Sequence, residues 1–349
     1  MAIELLECTL RDGSYAINFE FTAKFTGEFC RVLDDLQFPY IEIGHGMGIG
    51  ASEKIKRAAE SDHSYAEAAQ AGVNNSKWGM FAIPGIANKS EILQLIDQGM
   101  DFVRIGVDAL ELESGLDLVS ELQGKNIEIF VNFMKSYALP PEVLAERMEA
   151  ALAVGVDGVY LVDSAGGMLP NEIGEFADVL NQFSKSTKLG FHGHDNLGFA
   201  VANSIQLAGE GFNLIDCTMQ GLGRSSGNAS TEKIVSTLSR VGLLDDMDVI
   251  EVLKAGEQLI RPKIRLPGHG GLDTMAGYTL FHTSYMENLL IASEEFNVDP
   301  YVLMQEHCDE TLLSGSLEEF REKANSLKRN GISATVPFPE DQYVGNEQT

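Results

Sequence analysis

Lys188-Leu189-Gly190-Phe191-His192-Gly193-His194-Asp195-Asn196 changes character halfway, from an apolar run to a cluster of polar, metal-ligating side chains. The first half suits a buried strand. In an extended chain residues i and i+2 point the same way, so His192 and His194 can present two imidazoles to one ion. The same change occurs near the amino end, where Ile3–Cys8 runs into Thr9-Leu10-Arg11-Asp12-Gly13. Asp12 would complete a set of two histidines and one carboxylate. Such a set suits a catalytic ion with open positions better than a closed structural site. Arg11, next in the chain, is the group required where negative charge gathers on an oxygen beside the ion. The combination points to carbanion chemistry.

Further apolar, β-branched runs recur between and beyond these two. Eight can be read: Ile3–Cys8, Tyr40–Gly44, Trp78–Ile83, Phe102–Val107, Ile127–Phe133, Gly158–Asp163, Leu189–His192 and Asn213–Thr218. Amphipathic stretches separate them, such as Pro141–Ala153 with Val143, Leu144, Met148, Ala151 and Leu152 on one face. Strand then helix, eight times over, predicts an α/β fold of the (β/α)8 TIM-barrel kind. The competing doubly wound sheet lacks its GxGxxG after the first run. Barrel enzymes work at the carboxyl ends of their strands, and the polar residues collect there. Arg11 and Asp12 follow the first strand, His45 ends the second, Arg104 lies in the fourth and Lys135 follows the fifth. Asp163 and Ser164 end the sixth, His192 and His194 the seventh, and the loop Gly221–Gly227 follows the eighth.

Past Leu244 the pattern changes. Asp248–Ile260 reads as a helix, Arg261–Leu272 as a connection containing His269, and Thr274–Phe296 as one long helical stretch. The expected organisation is a catalytic barrel over residues 1–244, a small helical region over 245–336 and a poorly ordered tail over 337–349.

A net charge of −27 makes nucleic acid and anionic membrane poor partners, and no run approaches the ~20 apolar residues of a membrane span. Four cysteines, Cys8, Cys30, Cys217 and Cys308, form no CxxC pair, which suits reduced thiols. With no secretion signal legible at the amino end, a cytoplasmic location is expected. His63 and His307 lie in amphipathic surroundings and read as surface or packing residues.

On these residues the chain resembles the DRE-TIM metallolyases, whose barrel is of the HMGL-like or pyruvate carboxyltransferase type. Within them it is most similar to the class II pyruvate aldolases that act on 4-hydroxy-2-oxovalerate. The resemblance runs from Glu7 to about Met286. It includes Thr9–Gly13, the Gly44–Gly50 turn, Val162–Gly167, His192–Ser204, Gly221–Ala229 and Gly277-Tyr278. It implies Asp12, His192 and His194 as ligands to Mn²⁺ or Mg²⁺, with Co²⁺ also admitted by such donors. It further implies Arg11 at the enolate oxygen, Ser164 near the substrate carboxylate, Asn196 buttressing the second histidine, and Tyr278 and His282 on the substrate side.

The chain also departs from that pattern. Where those aldolases carry a general-base histidine two residues beyond the Asp-Gly pair, Tyr15 stands here, with an ordinary pKa near 10 against ~6.5. Proton transfer is therefore expected of Tyr15 or His45, with His282 as a further candidate. Lys135 replaces a methionine of the pattern and Arg224 a small residue, and both add positive charge at the mouth. Together they imply an aldehyde larger than acetaldehyde with a polar or anionic group. The same changes argue against the aldehyde dehydrogenase with which such aldolases pair. A homo-oligomer is compatible with the apolar face of Ala276–Leu290. Two alternatives stay open: a Claisen-type acyltransferase resembling isopropylmalate or citramalate synthase, using acetyl-CoA and a 2-oxo acid, and a metal-binding barrel without catalysis.

Overall fold

In a computed structural model, residues 2–264 and 271–333 are described; His269 and the tail at 337–349 lie outside the described residues. The eight apolar runs form eight strands: β1 (Glu4–Glu7), β2 (Tyr40–Ile43), β3 (Lys77–Ala82), β4 (Phe102–Asp108), β5 (Glu128–Met134), β6 (Gly158–Asp163), β7 (Lys188–Gly193) and β8 (Leu214–Cys217). Every neighbouring pair is parallel, and β8 pairs with β1 to close the barrel. This is the TIM barrel expected from the spacing.

The interior has two layers set by the two-residue period of a strand. Tyr40, Phe102, Phe130, Tyr160, Leu6 and Leu214 fill the lower one, with the Tyr40 and Phe102 rings edge-on at 5.4 Å. Two residues further along the even strands stand Glu42, Arg104, Val162 and Asp216, all buried. Arg104 spans the two layers, its guanidinium 4.8 Å above the Tyr160 ring. Apolar packing thus supports an ionic floor directly beneath the active-site face.

Beyond the barrel, Gly271–Thr279, Met286–Phe296, Pro300–Cys308 and Leu317–Arg329 are helical. They share a core of their own around Leu272, Phe281, Met286, Leu289 and Phe320. The single helix expected over Thr274–Phe296 is broken. Leu280 takes a left-handed φ of 56°, and the His282 side chain accepts from the Ser284 amide to open a short 3₁₀ turn, Thr283–Tyr285. A polar His-Thr-Ser run offers the backbone alternative hydrogen bonds, while Phe281 is drawn into the C-terminal core. The break lays His282–Tyr285 across the barrel mouth. Of the two histidines read as surface or packing residues, His63 is exposed and His307 is buried against the Phe320 ring at 4.3 Å.

Candidate active site

At the carboxyl ends of the strands lies a cavity of ≈ 250 Å³. Met47, Phe81, Ile83, Met134 and Val162 form its apolar wall, and the charged and polar residues line the rest. Asp12, on the short helix after β1, meets His192 of β7 and His194 just beyond it. Ligand atoms of all three lie within 4.8 Å of one another, and His192 Nε2 is 3.8 Å from Asp12 Oδ2. His192 Nδ1 is 2.8 Å from Asp216 Oδ2, and His194 Nδ1 is 3.3 Å from the Gly227 carbonyl. Both partners accept only, so each Nδ1 carries the proton and each Nε2 offers a lone pair. Asn228 donates to Asp12 Oδ2 and leaves its own Oδ1 buried without a partner among the described residues. Two imidazoles, a carboxylate and an orphaned amide oxygen fit a divalent cation. Burial alone would raise the Asp12 carboxyl, but the Arg11 guanidinium, helped by the Asn228 hydrogen bond, outweighs it and holds it well below the usual carboxylate range. A second group, Cys8, His192 and Asp216, also meets in space. There burial keeps the Cys8 thiol protonated, and Asp216 is already paired with Arg104.

Arg11 is clamped from two sides, Nη1 to Asp12 Oδ1 and Nε to Glu42 Oε2, both at 2.6 Å. Nη2 takes part in neither pair. Glu42 is shared, because Arg104 holds it at 2.7 Å. Ser164 Oγ accepts from the Lys135 amide at 3.0 Å, which leaves its hydroxyl proton for another partner. Lys135 sits in the left-handed region (φ 60°) at the end of β5, a costly conformation that clusters at functional sites. Its ammonium reaches Asp108 at 2.9 Å and the Tyr285 hydroxyl at 2.6 Å. Arg224 is only 5% exposed. It donates to Thr283 Oγ1, to the Ser164 carbonyl at 3.0 Å and to His194 Nε2 at 3.1 Å. Arg11, Arg104 and Lys135 each have a carboxylate partner; Arg224 has none among the described residues. Burial first, then Arg224 and Lys135, push the His282 imidazole well below its ordinary value, so it stands neutral.

Three expected residues are not brought to the cavity as anticipated. Both ring nitrogens of His45 are engaged by backbone, Nδ1 by the Met47 amide and Nε2 by the Lys56 carbonyl, and its ring stacks on Phe19 at 4.0 Å. Burial depresses it to about 4, so it serves as a turn anchor. Tyr278 is 67% exposed and does not line the cavity; His282 and Ser284 do. Among the described residues Asn196 hydrogen-bonds no histidine: its amide donates to Ser225 Oγ at 2.7 Å and to the Asp273 carbonyl at 3.0 Å. Tyr15 does line the cavity, its ring pressed so closely on Gly46 that a Cβ there would lie 2.5 Å away. Glu42, Asp216 and Asn228 escaped the sequence reading. The first two had a signal, a lone carboxylate inside a four-residue apolar strand.

Comparison with known proteins agrees with this geometry. Residues 2–259 match the model of the HMGL-like family. The chain is 31% identical over 339 residues to 4-hydroxy-2-oxovalerate aldolase 2 of Rhodococcus jostii, covering 97% of this chain and 98% of that one. It is 38% identical over 251 residues to oxaloacetate decarboxylase of Mycobacterium tuberculosis, covering 72% and 74%. Among solved structures, the carboxyl transferase domain of Rhizobium etli pyruvate carboxylase with pyruvate and biocytin superposes with a TM-score of 0.75 at 14% identity, over 97% of this chain and 64% of that one. This last likeness concerns fold alone. The family match, the two relatives and the closed barrel place the chain in the HMGL-like (DRE-TIM) family.

Proposed function

We propose that this protein is a divalent-metal-dependent carbon–carbon lyase that cleaves or forms a 4-hydroxy-2-oxo acid through the enolate of pyruvate. The observation that carries this reading is the convergence of Asp12, His192 and His194 beside Arg11 in one cavity. Relatives named as aldolases over nearly the whole chain support it. Mn²⁺ or Mg²⁺, held by Asp12, His192 and His194, would supply Lewis-acid polarisation of the 2-oxo group. Arg11, fixed by Asp12 and Glu42, directs Nη2 at the oxygen where charge collects, an electrostatic role that needs no reorganisation. Ser164 donates to the substrate carboxylate. In the cleavage direction the C4 hydroxyl gives up its proton, the C3–C4 bond breaks and its electron pair passes into the enolate. Tyr15 is the cavity-lining hydroxyl assigned to relay that proton, accepting it as its own passes to solvent. Arg224, with Lys135 and His282, receives a polar or anionic group on the aldehyde.

A second reading is decarboxylation of a 2-oxo acid that carries a second carboxylate on C3. One observation favours it: apart from the two candidate ligands, His282 is the one imidazole lining the cavity among the described residues, and loss of CO₂ yields the same enolate without a base. The test is loss of the C3 proton signal of pyruvate in D₂O, with Mn²⁺ or Mg²⁺ and with a chelator. Chelator-sensitive exchange supports a pyruvate enolate, and no exchange with either metal rejects the aldolase reading. Exchange far slower than oxaloacetate turnover selects the decarboxylase.

A further inference from the structure

The ionic floor of the barrel forms a chain of contacts that begins and ends at the candidate ligands. Asp12 pairs with Arg11, Arg11 with Glu42, Glu42 with Arg104, Arg104 Nη1 with Asp216 Oδ2, and Asp216 Oδ2 with His192 Nδ1. The circuit is open only between His192 Nε2 and Asp12 Oδ2, which stand 3.8 Å apart. Three carboxylates against two guanidiniums leave it one negative charge. Asp216 uses a single oxygen for both partners, and its Oδ1 is buried with none among the described residues. A half-satisfied carboxylate in a barrel interior is a poor way to gain stability, since an apolar side chain of similar size would pack there without the desolvation cost. What it achieves is specific: it obliges His192 to carry its proton on Nδ1.

We infer that Asp216, itself held by Arg104, is a positioning residue that fixes the tautomer of His192 and thereby sets the affinity of the Asp12–His192–His194 site for its cation. The inference rests on the proposed function only in taking those three residues as ligands. An imidazole protonated on Nε2 cannot ligate through that atom, so any relaxation of the Asp216 contact costs binding directly. Partners of this kind change metal affinity by about 10- to 100-fold. In Asp216→Asn the single acceptor oxygen is claimed by the Arg104 guanidinium. The amide then turns a donor toward His192 Nδ1 and drives the proton to Nε2.

The experiment uses the full chain labelled with ¹⁵N-histidine, stripped of metal, and read by long-range ¹H–¹⁵N correlation. Seven histidines are few enough to assign by single substitutions. The expected result is Nδ1–H at His192 in the wild type, Nε2–H or a mixture in Asp216→Asn, and a Mn²⁺ dissociation constant raised about 10- to 100-fold, read from the free-ion EPR signal. Nε2–H in the wild type overturns the inference even if the variant does not fold. So does an Asn variant that keeps Nδ1–H, or one whose Mn²⁺ affinity lies within about threefold of wild type. Wild-type protein that binds no Mn²⁺ at all instead defeats the ligand assignment beneath the proposed function.

Discussion

The Lys135 ammonium lies 2.6 Å from the Tyr285 hydroxyl, a hydrogen bond across 150 residues of chain that fastens the end of β5 to the segment crossing the mouth. Removing the hydroxyl in Tyr285→Phe should cost about 1 kcal/mol of stability, measured by urea unfolding. Amide exchange should accelerate at residues 283–285 while the strands stay protected. Unchanged exchange in that segment would mean the contact does not hold the mouth.

Arg224 is a buried cation without a carboxylate partner among the described residues, so an incoming anion has much to repay. Replacing it by alanine should raise the KM of the aldehyde roughly 10- to 100-fold, the equivalent of about 1.5–3 kcal/mol for a charge-assisted hydrogen bond. Pyruvate C3 exchange should stay within about twofold. Equal losses in both assays would show that Arg224 acts on the enolate half of the reaction instead.

If Tyr15 moves the proton of the C4 hydroxyl, Tyr15→Phe should lower kcat by about 10²–10⁴-fold and leave Mn²⁺ binding intact. Gly46→Ala tests the same group from outside, because its new methyl must displace the tyrosine ring. Both variants should fall together. A Gly46→Ala enzyme with full activity would exclude a role that depends on the ring's position.

Glu7 is fully buried beneath the loop after β8, where it accepts from the Thr9 amide at 3.0 Å and the Met219 amide at 2.9 Å. Burial outweighs these bonds and raises its carboxyl from the ordinary 4.5 to about 7. A group whose folded pKa is raised contributes stability that is fully present below 4.5 and lost as pH rises through about 7. The difference amounts to roughly 3 kcal/mol. Urea unfolding at pH 5 and pH 8 should show wild type losing stability over that interval and Glu7→Gln losing less. Parallel losses in the two proteins would rule out Glu7 as the cause.

The barrel was legible because a parallel strand covered on both faces must be apolar throughout, so all eight runs stand out from their surroundings. His192 and His194 were legible because two residues of a strand share a face, and Asp12 because the same kind of strand end carries it. The ionic floor was not. Glu42 and Asp216 declare their role only once register places them beside Arg104, and no local pattern encodes that pairing. His45 misled for the converse reason: its place at a strand end was right, but whether a ring turns to the cavity or to the Met47 and Lys56 backbone depends on turn geometry. The break at Leu280 was hidden because Thr274–Phe296 has adequate helical periodicity, and only the demand of Phe281 for the C-terminal core ends the helix.

The circuit of charges also has a consequence for the order in which the protein becomes itself. A ribosome that has released residue 194 has already delivered all three candidate ligands, Asp12, His192 and His194. It has not delivered Asp216, which holds one imidazole, nor Asn228, which steadies the carboxylate, and β1 still lacks its partner β8. The nascent chain thus carries the ligands before it carries the site. If the three residues hold a cation as proposed, its uptake would follow the closing of the barrel by the eighth strand, and a chain truncated short of it should leave the cation in solution.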